Sequence, residues 1–257
     1  KEQKLISFEY LFLILFSVLG LMLMCSSNDF LTAYLAIELA SLSCYLLASF
    51  KKTSSYSVES GIKYFITGAV SSSFFFFFFF FIYGITGSIN FTDFLDMFNK
   101  PYLDFFPAYC IFYNPLIPDE YTVIDFLPYH KLKFELESSP AFDHSFIELG
   151  LTLILFSLFI KLALAPFHLW SLDFYEGSPT SASFFFAVIS KLSIFVVLVR
   201  LCYTGFYNLK DCWQFYSIWV GVFSIFVGSF GGLKQRKLKT LLAYSSTSHM
   251  GYTLIAF

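Results

Sequence analysis

Residues 156–191 read FSLFIKLALAPFHLWSLDFYEGSPTSASFFFAVISK, and the fold turns on how this stretch is read. Lys161 sits deep in an apolar run. Five residues later Pro166 interrupts the helix, and His168 and Trp170 follow. The polar turn DFYEGSPTS then leads into a second apolar run ending at Lys191. A lysine placed in hydrocarbon costs about 2.5–3.5 kcal/mol on insertion scales, and such residues usually mark an ion or proton pathway. Proline removes a helix hydrogen bond and frees a carbonyl. Irregular backbone at membrane depth is tolerated only against protein or a wet cavity. Charge and helix break together therefore point to ion or proton movement.

The rest of the chain has the composition of a membrane protein. Of its 257 residues 57% are hydrophobic, 23% aromatic and only 13% charged; mean hydropathy is +0.70. A soluble domain carries about twice that share of charge. Seven apolar runs approach the roughly 20 residues that span a bilayer: 8–25, 30–50, 61–86, 146–165, 180–202, 213–233 and 238–257. The expected fold is all-α, a polytopic membrane helix bundle of about seven spans with one discontinuous helix at Pro166. Residues 1–89 supply three spans, 90–145 an extramembrane insertion, and 146–257 four more spans. The insertion holds nine acids against three lysines.

Basic residues sort onto alternate loops: Lys1 and Lys4; Lys51, Lys52 and Lys63; Lys234, Arg236, Lys237 and Lys239. The positive-inside rule puts those loops on the inner face and the insertion on the outer one. The loop carrying Asp173 and Glu176 also falls inside and breaks the basic pattern. In span six, Gly221, Ser224, Gly228 and Gly231 recur at helical spacing, which lets helices approach closely in lipid. The unbroken phenylalanine run 74–81 fills lipid-facing positions as leucine would, and its composition hints at an AT-biased organellar gene.

Within the spans, Tyr34, Glu38, Ser41 and Tyr45 line one helical face, which is expected to turn inward. Lys161 matches Glu38 in depth, and the two form either a functional pair or a static ion pair that fixes packing. Lys161 and Lys191 fall near midplane on consecutive spans. Two buried lysines cannot comfortably both hold charge, so protonating one would push the proton off the other. Ser157 and Ser190 are placed to hold water. His168 is either a proton-entry group or a cap for freed carbonyls. His249, within AYSSTSHMGY, is either a proton-transfer group or a satisfied interior histidine. The five cysteines show no CxxC spacing, which argues against a metal or iron–sulfur site. No dinucleotide or phosphate-loop motif is present.

Four segments carry a family resemblance: YLAIELASLSCYLLASFKK (34–52), GIKYFITGAVSSS with YGITGS (61–73, 83–88), FIKLALAPFHLWSLDFYEGSPT (159–180) and KLKTLLAYSSTSHMGY (237–252). In this order they resemble the subunit 2 branch of the antiporter-like family, which serves proton-pumping NADH:ubiquinone oxidoreductase (respiratory complex I) and multisubunit cation/proton antiporters. The resemblance implies a proton relay of Glu38, Lys161, Lys191 and His249; His168 stays a candidate on its position after the proline break alone. It implies no cofactor in this chain; NADH, FMN, iron–sulfur clusters and ubiquinone belong to other subunits. The implied partners are other membrane-arm subunits and a bilayer that includes cardiolipin, with no nucleic acid; the implied location is the mitochondrial inner membrane. Full-length members have fourteen spans, so a second polypeptide is expected to carry the missing C-terminal ones, from a truncated or split gene. A stand-alone or Mrp-type cation/proton antiporter subunit and a non-conducting structural subunit of complex I are the competing expectations.

Overall fold

The computed structural model describes residues 8–51, 54–94 and 144–257. Lys1, Lys4, Lys52 and nearly all of the expected 90–145 insertion lie outside the described residues. The chain runs through α1 (Phe8–Ser26), α2 (Phe30–Ala48), α3 (Ser55–Thr86), α4 (His144–Leu162), the short α5 (Leu169–Gly177), α6 (Thr180–Gly205), α7 (Lys210–Leu233) and α8 (Leu238–Ala256). Every expected span corresponds to one long helix, and no named strand occurs among the described residues. Among the described residues five helices, α1, α2, α3, α6 and α7, are long and apolar enough to cross a membrane; α4 and α8 coincide with the other two expected spans without meeting that measure.

Local chemistry fixes the ends of α3. The Ser54 hydroxyl accepts a hydrogen bond from the Ser57 amide at 3.1 Å, one of the donors a helix start leaves orphaned. At the other end Gly87 adopts φ 71° and its amide donates to the Tyr83 carbonyl at 2.8 Å. This left-handed cap suits a residue without Cβ.

Packing sorts the phenylalanine run. Phe75, Phe79 and then Ile82 are buried, whereas Phe74, Phe77 and Phe80 are exposed on the outer surface of α3. The buried pair packs on Phe30 of α2, with ring centroids 6.3 and 5.3 Å away. Phe91, Phe94 and Phe206 complete that cluster at 4.9, 5.6 and 6.3 Å from Phe30. The run thus supplies both a lipid-facing surface and an aromatic core, where the sequence suggested the surface alone.

Two polar clasps hold opposite ends of the bundle. At the end expected to face inward, Lys63 bonds Asp173 and Glu59, each at 2.8 Å. Lys237 pairs with Glu176, and Lys239 donates to the Ser178 carbonyl at 2.6 Å. The acids of α5 therefore pair with lysines of the basic face, which explains why they share its side. At the other end Arg200 donates to the Cys25 carbonyl at 2.6 Å and to the Asn28 side chain.

Between α7 and α8 the small residues behave as their spacing implies. A Cβ on Gly228 would meet Ser248 Cβ and the Tyr244 carbonyl, each at 2.9 Å, and one on Gly251 would lie 2.9 Å from the Gly221 carbonyl. Only bare backbone fits there. Gly228→Leu is expected to force the two helices apart and cost about 1–3 kcal/mol. The thermal transition of the detergent-solubilised assembly should fall with it, while Phe226→Leu on the exposed face leaves that transition in place.

Candidate functional site

Pro166 breaks the helix, but the chain leaves helical geometry earlier than that residue. Proline has no N–H to give the Leu162 carbonyl, and its ring disfavours helical geometry in the residue before it. Helix α4 accordingly ends at Leu162, three residues before the Ala165–Pro166 bond, which is cis. Residue Ala163 takes φ 56°. Its amide donates to the Ile160 carbonyl and the Leu164 amide to the Phe159 carbonyl, both at 3.1 Å. This is the paired 5→2 and 6→1 pattern of a Schellman cap, formed here on alanine where glycine is usual. The Trp170 indole N–H, from α5, also donates to the Ile160 carbonyl at 3.1 Å.

The cap positions Lys161. The lysine stands in the last turn of α4, where the unpaired carbonyls give the helix the equivalent of about half a negative charge. A charge that is costly mid-helix is thus placed where the backbone favours it.

Lys191 is positioned by a different irregularity. Helix α6 widens to π geometry over Phe186–Ser190 and returns to α geometry at Lys191. Such single-turn bulges often accompany functional sites. The lysine is 4% exposed. Its ammonium donates to Ser246 Oγ of α8 at 3.0 Å and lies 5.9 Å from the centroid of the Tyr175 ring.

Both lysines line one cavity of about 50 Å³, enough for a few water molecules. Helices α1 to α6 all contribute to its wall, and its polar lining includes Ser41, Tyr45, Thr67, Ser71, Tyr175 and Ser190. The expected inward stripe of α2 divides. Ser41 and Tyr45 face this cavity, while Tyr34 and Glu38 are half-buried and do not line it. Among the described residues no ion pair within 4.0 Å joins Glu38 to Lys161.

The remaining candidates are spread out. His168 is buried ahead of α5, with its ring 6.0 Å from Tyr244 and its Nδ1 without a hydrogen-bond partner among the described residues. Ser157 Oγ is likewise buried and unpartnered, and Ser190 donates to the Phe186 carbonyl at 2.7 Å. His249 lies one turn beyond Ser246 on α8 and is exposed. Sequence reasoning missed Ser246 and Tyr175 as neighbours of Lys191. The polarity of AYSSTSHMGY was the signal for the first, and nothing in the polar turn singled out the second.

Known proteins share the sequence pattern and the fold of this chain. Residues 27–257 match the family model described as NADH:quinone oxidoreductase/Mrp antiporter, TM. The chain is 35% identical over 254 residues to NADH-quinone oxidoreductase subunit N of Pelagibacter ubique, and 35% identical over 257 residues to NADH-ubiquinone oxidoreductase chain 2 of Marchantia polymorpha. These alignments cover 99% and 100% of this chain. A chain of respiratory complex I from Thermus thermophilus superposes with a TM-score of 0.69 at 29% identity, over 97% of this chain and 45% of that one. A chain of an archaeal membrane-bound sulfane sulfur reductase shares the fold, with a TM-score of 0.72 at 22% identity over 98% of this chain and 44% of its own. The chain belongs to the NADH:quinone oxidoreductase/Mrp antiporter transmembrane family. It spans 45% of the length of the curated relatives named here.

The αL cap gives a direct test of the break. Ala163→Gly is expected to stay within about 1 kcal/mol of the parent, because relief of the left-handed strain offsets the added backbone freedom. Ala163→Val should cost about 2–4 kcal/mol, from a β-branched residue in that conformation and crowding at a fully buried position. Thermal denaturation of the two variants beside the parent measures both.

Proposed function

We propose that the chain is a proton-translocating membrane-arm subunit of a respiratory NADH:quinone oxidoreductase. The observation that carries this reading is the shared cavity, which brings Lys161 at a helix C-terminus and Lys191 at a π-bulge to one polar enclosure. The names of the relatives supply the reaction context. NADH, FMN, iron–sulfur clusters and ubiquinone are assigned to other subunits, so this chain moves protons and passes no electrons. Sister membrane-arm subunits and cardiolipin are its proposed partners. The mitochondrial inner membrane is its proposed location, supported by the similarity to a plant NADH-ubiquinone oxidoreductase chain.

Elementary electrostatics gives the mechanism. Two ammonium groups facing one small cavity repel each other, and each lysine favours charge on itself when the other is neutral. Glu38 stabilises charge on Lys161 through space. A change in the charge or position of Glu38, driven from elsewhere in the complex, would move the proton preference from one lysine to the other. Carrying a charge against 100 mV requires about 2.3 kcal/mol, a shift of about 1.7 pK units. Coupling of that order is reasonable for neighbouring groups in a poorly solvated interior.

Lys191→Arg provides the sharpest test. Arginine keeps the positive charge but does not release its proton in proteins. Proton uptake per NADH oxidised in vesicles should fall about tenfold or more, while the complex still assembles. Glu38→Gln should give a smaller loss of the same kind. An unchanged proton yield in both variants would remove this chain from the pumping mechanism.

A further inference from the structure

Lys191 lines the cavity it shares with Lys161 and has its hydrogen bond on α8. Its ammonium has three donors, and the hydrogen bond among the described residues goes to Ser246. The Ser246 hydroxyl gives its own proton to the Ala243 carbonyl at 2.8 Å, so toward Lys191 its oxygen acts as acceptor. The Tyr175 hydroxyl is buried with no hydrogen-bond partner among the described residues, and the Tyr175 ring faces the ammonium.

Titratable groups facing the cavity come from several elements: Lys161 from α4, Tyr175 from α5, Tyr64 from α3, and Cys44 and Tyr45 from α2. None of these is a carboxylate. The Ser246 oxygen is therefore the direct hydrogen-bond acceptor for charged Lys191, supplemented by the π face of Tyr175.

A serine hydroxyl can serve both protonation states of an amine. It accepts from the ammonium while bonded back to its own helix, and donates to the neutral amine once it rotates away from Ala243. The Tyr175 hydroxyl, buried and unpaired, is an available second station for that rotation. Leaving such a group unpaired is unfavourable, so the arrangement favours any rotamer that pairs it.

We infer that Ser246, with Tyr175 beside the ammonium, is a positioning residue that tethers protonated Lys191 to α8 and releases the neutral amine to move across their shared cavity toward Lys161. The tether separates two positions of one lysine. On Ser246 the ammonium is held at the α8 edge of the shared cavity; off it, the flexible side chain is free to extend across that cavity toward Lys161. The device thus gives direction to the lysine pair. It rests on the pumping role proposed above and adds the element that orders its steps.

The test uses Ser246→Ala, Ser246→Thr and Tyr175→Phe in the assembled complex, with proton uptake per NADH measured across pH. Without the acceptor, charged Lys191 loses a hydrogen bond. The alkaline limb of the Ser246→Ala profile should then move about one pH unit toward acid, as expected for loss of one charge-assisted bond. Ser246→Thr keeps the hydroxyl and should restore the parent profile. Tyr175→Phe keeps the ring and should move the limb in the same direction but less. A Ser246→Ala profile that coincides with the parent, in a complex where Lys191→Arg abolishes uptake, would overturn the tether and leave the pumping role standing. If Lys191→Arg itself leaves uptake intact, the pumping role fails first. A loss in Ser246→Ala that Ser246→Thr does not restore would overturn the tether as well, since helix packing and not the hydroxyl would then be at fault.

Discussion

The termination of α4 is the constraint on which the site depends. A continuous helix through residue 168 would leave Lys161 mid-helix, with every nearby carbonyl already engaged. Pro166 forbids that continuation, and the paired bonds from Ala163 and Leu164 close the helix end. The Trp170 indole adds a third donor from the following helix. The carbonyl end produced in this way is the one place along α4 where the backbone field favours a cation. Break, cap and lysine are thus one physical arrangement. Helix α5, set off by the same break, brings Trp170 and Tyr175 to the cavity wall.

Around this break the bundle is held by three different kinds of contact. Aromatic rings centred on Phe30 pack α2 against α3 and the end of α6. Backbone-close contact at Gly228 and Gly251 joins α7 to α8. That second contact also fixes where α8 presents Ser246 to Lys191. At the two ends, polar clasps tie α5 to α3 and to the turn between α7 and α8, and α6 to the turn between α1 and α2. The pairs of α5 are largely solvent-facing, and such pairs contribute little to stability. Their value is in register: they set where α5 sits and hence which side chains it presents.

Much of this was legible in the sequence. Composition and run length identified an all-helical membrane bundle and its long helices, because a lipid environment allows few other solutions. Lysines at midspan stood out for the same reason. The small residues of α7 were recognisable from spacing alone. Other features were not. No glycine marks the αL cap, so the helix end was placed at Pro166 rather than Leu162. The phenylalanine run is uniform, and only its neighbours divide Phe75 and Phe79 from Phe77. The stripe of Tyr34, Glu38, Ser41 and Tyr45 read as one inward face, yet the neighbouring helices cover its parts unequally.

By itself, then, the sequence determined the class of fold, the helix break and the residues whose charge is costly in lipid, since each follows from local chemistry and the bilayer's intolerance of unpaired polar groups. Tertiary structure alone decided which of those residues share a cavity, that Glu38 stays outside its wall, and that Lys191 is held by Ser246, 55 positions away. Contacts between helices depend on rotation and depth, and a periodic pattern along one helix records neither the neighbour it will meet nor the angle at which they meet.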